Sequence, residues 1–92
     1  MRPTYRRAER LLWRDCGTEV LVTVPGDERV HALSGSGALV WDALGATATA
    51  ADVARAIAEA AGRSPHDLEA SIVAFLAELE DRGIVVRVRG RG

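Results

Sequence analysis

The sequence predicts a small α+β domain in which a three-stranded antiparallel sheet is followed by three helices and a short terminal strand. Three observations predict it. Period-two alternation is confined to the first third of the chain, where Val20, Val22 and Val24 share a face. After Ser34 the apolar residues recur at helical spacings of three and four. A β-branched run from Ile84 to Val88 then precedes an Arg-Gly end.

Residues Arg10 to Cys16 read as a first strand, Gly17-Thr18 as a turn, and Glu19 to Val24 as a second strand. Pro25-Gly26-Asp27 has the residues of a tight turn, and Arg29 to Leu33 returns as a third strand. Ala38, Leu39, Trp41, Ala43 and Leu44 suit a short first helix ended by Gly45. Thr49 stands three residues before Asp52, a capping box, and Val53, Ala56, Ile57 and Ala60 form the stripe of a second helix ending near Gly62. Ser64-Pro65-His66-Asp67 combines a capping Ser, a Pro at the first helical position and an acid at the positive end of the dipole. The third helix continues through Leu68, Ile72, Phe75, Leu76 and Leu79 until Gly83 supplies a left-handed stop. This order of elements can fold as a winged helix-turn-helix arrangement, which by itself assigns no function.

Ninety-two residues allow one domain, and 48% apolar with 27% charged residues excludes a disordered chain. The net charge of −1 hides an uneven distribution: Arg2, Arg6, Arg7, Arg10 and Arg14 crowd the start, Arg87, Arg89 and Arg91 the end. All basic residues are arginine, as in chains from GC-rich genomes. Residues 1–9 carry no apolar period and read as a flexible Arg-rich N-terminus, 10–88 as the domain, and 89–92 as a frayed tail. The single Cys16 excludes an internal disulfide, and His31 and His66 have no zinc-ligand spacing, so the cytoplasm is the expected compartment. No apolar run approaches the roughly 20 residues that cross a bilayer, so no membrane association is expected. Paired carboxylates, a glycine-rich phosphate loop and a nucleophile–base pair are all missing, and no catalytic, cofactor-binding or metal-ligating residue is assigned.

Val30-His31-Ala32-Leu33 leading into Gly37-Ala38-Leu39-Val40-Trp41-Asp42-Ala43-Leu44, then Thr49 to Ile57, then Phe75-Leu76-Ala77-Glu78-Leu79 with Gly83-Ile84-Val85, together resemble the PqqD-like family over about residues 10 to 88. Its members are recognition elements for ribosomally made, enzymatically modified peptides. The resemblance implies that the leader of a precursor peptide binds as an added strand on the third strand, against the third helix. It assigns the edge to Arg29, Val30, His31, Ala32 and Leu33, and the facing helix surface to Asp67, Ser71, Ala74, Phe75 and Glu78. It implies a separate modifying enzyme as second partner, whether protease, cyclase or radical enzyme. Two departures stand out. Ser71 occupies a position where many relatives carry an acid, and Trp41 stands where lasso-peptide and other stand-alone relatives often have tryptophan, unlike the pyrroloquinoline quinone proteins themselves.

Other readings of the same residues are structural. Trp41 and Phe75 suit a core as well as a ligand site, and Trp13 either packs under the sheet or belongs to an exposed docking patch. His31 reads as a half-exposed strand residue placed on the proposed edge. A winged-helix DNA-binding protein is the alternative function, but Asp67, Glu69, Glu78, Glu80 and Asp81 make the third helix acidic, and phosphates would repel it. No specific nucleic-acid partner is expected. A further alternative is an accessory subunit whose sheet edge is permanently covered by a partner chain. The sequence leaves the oligomeric state open.

Overall fold

The computed structural model describes residues 2–88. In chain order the elements are β1 (Thr4–Arg7), β2 (Leu12–Asp15), β3 (Glu19–Thr23), β4 (Val30–Ser34), α1 (Ser36–Ala43), β5 (Ala48–Thr49), α2 (Ala50–Ala61), α3 (Pro65–Asp81) and β6 (Val85–Val88). The fold is α+β, and β2, β3 and β4 form the expected three-stranded antiparallel sheet in that spatial order. The expected third strand is β4; it begins at Val30, because Arg29 is held in the preceding turn by Asp27.

A second three-stranded sheet, ordered β5-β1-β6, was not foreseen. The expectation of a flexible segment over residues 1–9 is corrected at residues 4–7. There β1 pairs with β6 from Thr4 opposite Val88 to Arg7 opposite Val85, and with β5 through Thr4 and Tyr5. Tyr5 is buried in the common core, which is the physical reason: one aromatic residue, with a strand on each side, anchors a segment whose other residues are polar. Arg10 has φ of 67° and belongs to the turn between β1 and β2, so the first strand of the expected sheet starts at Leu12. The tail expected at 89–92 lies outside the described residues.

Local signals place the helices. The Thr49 hydroxyl accepts from the Asp52 N–H and the Asp52 carboxylate accepts from the Thr49 N–H, both at 3.1 Å. This is the full capping box, and Gly62 ends α2 in the left-handed region. Ser64 holds the N-cap position of α3 but its side chain makes no capping bond; the Asp67 N–H reaches the Ser64 carbonyl instead. Gly83, at φ 78°, turns the chain from α3 into β6. The core lies where Val20, Val22 and Leu33 of one sheet and Tyr5 and Val85 of the other meet Val40, Trp41, Leu44, Val53, Ile57, Ile72, Leu76 and Leu79 from the helices. Among the described residues no helix is long and apolar enough to cross a membrane.

Candidate functional site

Among the described residues β4 is an outer strand of its sheet, paired only with β3. Which of its backbone groups face outward follows from the hairpin at the opposite edge. The Cys16 N–H donates to the Glu19 carbonyl at 2.8 Å, so Glu19 turns its backbone groups toward β2. By the alternation of an antiparallel ladder, Val20 and Val22 turn theirs toward β4. Val20 stands opposite Leu33, and Val22 opposite His31. His31 and Leu33 are therefore committed to the sheet, while Val30, Ala32 and Ser34 direct N–H and C=O away from it. The side chains follow the same period, with His31 and Leu33 buried and Val30, Ala32 and Ser34 exposed.

His31 is 6% exposed, not half-exposed as the strand pattern suggested. Its Nε2 lies 3.1 Å from the Asp27 carboxylate, so the turn before β4 supplies the partner that makes burial tolerable. The same carboxylate accepts from the backbone N–H of Arg29 at 2.9 Å and from its Nε at 3.2 Å. The Arg29 side chain first, then its backbone N–H, then His31, hold the Asp27 carboxyl well below the usual carboxylate range. A carboxyl depressed in the fold stabilises it above about pH 4, where the unfolded chain also ionises, and that contribution is lost as the pH falls. Asp27→Asn is thus expected to flatten the acid limb of the melting temperature between pH 5 and 2, a change read directly from melts across that range.

α3 comes close to the end of β4 at Phe75. A Cβ added to Gly37 would lie 3.3 Å from Cζ of Phe75 and 3.7 Å from Cβ of Leu33, so the half-buried Phe75 ring rests on the bare backbone of α1 beside the end of β4. At the other end of α3, Gly83 approaches Val24, just beyond β3. α3 therefore passes the end of β4 at Phe75 and reaches the end of β3 at Gly83. Glu78 lies in this stretch, ion-paired to Arg82 at 2.6 Å, and Ala74 is exposed next to Phe75. Ser71 and Asp67 are exposed but sit one and two turns before Phe75, about 6 and 12 Å along the axis. They lie farther from β4 than Phe75 does along the helix. Sequence reasoning missed Gly37, Asp27 and Arg82; the first two carry turn- or helix-level signals only, and Arg82 needed the i,i+4 pairing with Glu78.

Beneath the far edge of the sheet, Trp41 is 1% exposed and Trp13 49% exposed, with ring centroids 5.3 Å apart at 65°. The Arg7 guanidinium lies 4.2 Å from the Trp41 ring centroid and 5.2 Å from that of Trp13, and donates to the Trp41 carbonyl at 2.7 Å. Trp41 is core, and Trp13 is both packed and open.

The family model described as coenzyme PQQ synthesis protein D (PqqD) matches residues 19–85, from the start of β3 to the start of β6. No curated protein and no solved structure matches the chain. Members of that family are non-catalytic accessory proteins that bind precursor peptides and work with modifying enzymes. The match spans well over half of the sequence and contains both β4 and α3, so the chain belongs to the PqqD family, the precursor-recognition elements of ribosomally synthesised and modified peptides.

Proposed function

We propose that this chain is a non-catalytic peptide-binding chaperone. It captures the leader region of a ribosomal precursor peptide as a strand along β4 and presents the remainder to a separate protease, cyclase or radical enzyme. The single observation that carries this reading is the outward row of backbone groups at Val30, Ala32 and Ser34, unpaired within the sheet and bordered by Phe75. Each hydrogen bond to an added strand contributes about 1 kcal/mol, and an apolar side chain packed against the Phe75 ring about 2. Alternate leader side chains would face α3 and the rest would face solvent, the division that gives strand addition its specificity. The order from α1 to β6 supports a winged helix-turn-helix description of the domain, while the acids of α3 count against duplex binding.

The test is titration of the labelled chain with the leader peptide encoded beside its gene, followed by amide shifts. Shifts centred on β4 and the second half of α3 are expected; shifts confined to other elements would remove the reading. Gly37→Ala sharpens it. Alanine improves helix propensity by up to about 1 kcal/mol, yet its Cβ would push the Phe75 ring by a few tenths of an ångström. A melting temperature within a few degrees of the parent is expected, with leader affinity reduced several-fold in the binding isotherm.

A further inference from the structure

The sheet has a second open edge. Among the described residues β2 is paired only with β3, and the same hairpin bond from Cys16 to Glu19 fixes its alternation. Leu12 and Arg14, opposite Thr23 and Leu21, face β3, so Trp13 and Asp15 turn their backbone N–H and C=O outward. Natural edges are usually short and charged, and Arg14 and Asp15 fit that rule. Leu12 and Trp13 do not. They are 75% and 49% exposed, and they open on a hollow of about 360 Å³ that continues over Arg14, Leu21 and Thr23 to Val30.

Arginines stand on both faces of this edge. Arg14 projects on the outer face with Leu12. Arg7 lies on the inner face against Trp13, and Arg10 stands in the turn just before the strand. Among the described residues neither Arg10 nor Arg14 has an ion-pair partner. Glu9 and Asp15 are the acids nearby in sequence and Asp42 lies close enough to act on Arg7, while the Asp15 carboxylate is engaged by the Gly17 N–H. The charge at the two edges differs in kind: Glu78 and Glu80 of α3 are paired with Arg82 and Arg87, whereas among the described residues Arg10 and Arg14 beside β2 are in no ion pair.

We infer that β2 is a second strand-docking edge, and that its occupant is an extended segment of a partner protein carrying acidic and apolar residues. A strand laid there would meet Arg14 and Leu12 above the sheet and Arg7 and Trp13 below it. A second copy of the chain is the poorer occupant, because β2 against β2 gathers the same arginines on both sides of the seam. Assigning the segment to the modifying enzyme rests on the function proposed above. Leader and enzyme strand would then lie in one sheet, four strand spacings or about 19 Å apart.

The experiment uses the full chain, isotopically labelled, and two capped synthetic octapeptides alternating Val-Glu or Val-Lys. The acidic peptide is expected to shift the Trp13 and Asp15 amides, and Arg14→Glu, at an exposed position, to weaken it at least tenfold while leaving the melting temperature unchanged. The lysine peptide is expected to leave β2 unshifted. Equal effects of both peptides on β2, acidic-peptide shifts centred elsewhere, or undiminished binding by Arg14→Glu would each overturn the inference. So would a free chain that sediments as a dimer and becomes monomeric with Trp13→Pro, since a second copy would then hold the edge. Leader titration of Arg14→Glu separates the two readings: shifts at β4 sustain leader capture whatever happens at β2, and their loss from the parent chain would sink leader capture alone.

Discussion

Removing residues 2–7 is expected to unfold the domain or to lower its melting temperature by tens of degrees. These residues include β1, the middle strand of the β5-β1-β6 sheet, so its loss leaves β5 and β6 without a partner. Tyr5 is 3% exposed, and deleting an aromatic side chain from a core costs about 3–5 kcal/mol. The deletion also removes the bond from the Thr4 hydroxyl to the Val88 carbonyl and both bonds from Arg7 to the Trp41 carbonyl, at about 1 kcal/mol each. A native domain has only about 5–15 kcal/mol in total, and in one this small each kcal/mol moves the midpoint by about 4–8 °C. Tyr5→Ala should reproduce more than half of the effect. A truncated chain melting within a few degrees of the parent would mean that β1 is no part of the folded core.

The second large effect is expected at Trp41. Trp41→Ala removes a side chain that is fully buried, meets Trp13 edge-on and carries Arg7 over its face. The cavity and lost contacts should cost about 3–5 kcal/mol, and Trp13, left as the only tryptophan, should lose its near-ultraviolet circular dichroism as its packing partner goes. Arg7→Met keeps much of the alkyl packing and loses two hydrogen bonds and both cation–π contacts, so about 2 kcal/mol or somewhat more is expected. Thermal or denaturant unfolding of both variants checks the order. A Trp41→Ala loss below about 1 kcal/mol would contradict the packing described.

What could be read from the sequence is what short-range chemistry decides. The Thr49–Asp52 box, the left-handed glycines at 62 and 83, and the alternation through Val20 and Val22 are local, and the elements they mark stand within a residue or two of the expected bounds. β1 was hidden because its warrant is distant. Thr-Tyr-Arg-Arg has one apolar residue, and only pairing with β5 and β6, both distant in sequence, makes it extended. β5 spans only Ala48–Thr49 and carries no period at all.

The candidate site was half legible for a similar reason. The third-strand edge and the Phe75 face of the third helix were assigned, yet the burial of His31 depends on Asp27 folding back from a turn. Nothing in a strand pattern announces such a partner. Asp67 and Ser71 share the stripe of Phe75 by helical spacing, but where α3 runs relative to β4 is a tertiary fact, and it leaves those two farther from the strand than Phe75. The outward choice between His31 and Ala32 likewise needed a hydrogen bond at the opposite edge of the sheet.

That choice is the most direct test of leader capture. Proline removes one N–H and fixes φ, so it is tolerated on an edge only where the donor faces away from the sheet. Melting curves and leader isotherms should be measured for His31→Pro and Ala32→Pro side by side. His31→Pro is expected to break the pairing with Val22 and orphan Asp27, lowering stability by at least about 3 kcal/mol. Ala32→Pro is expected to melt close to the parent and to bind the leader at least tenfold more weakly. If Ala32→Pro stays folded and binds the leader as tightly as the parent chain, the leader does not add to β4 through Ala32, and strand addition at this edge is wrong.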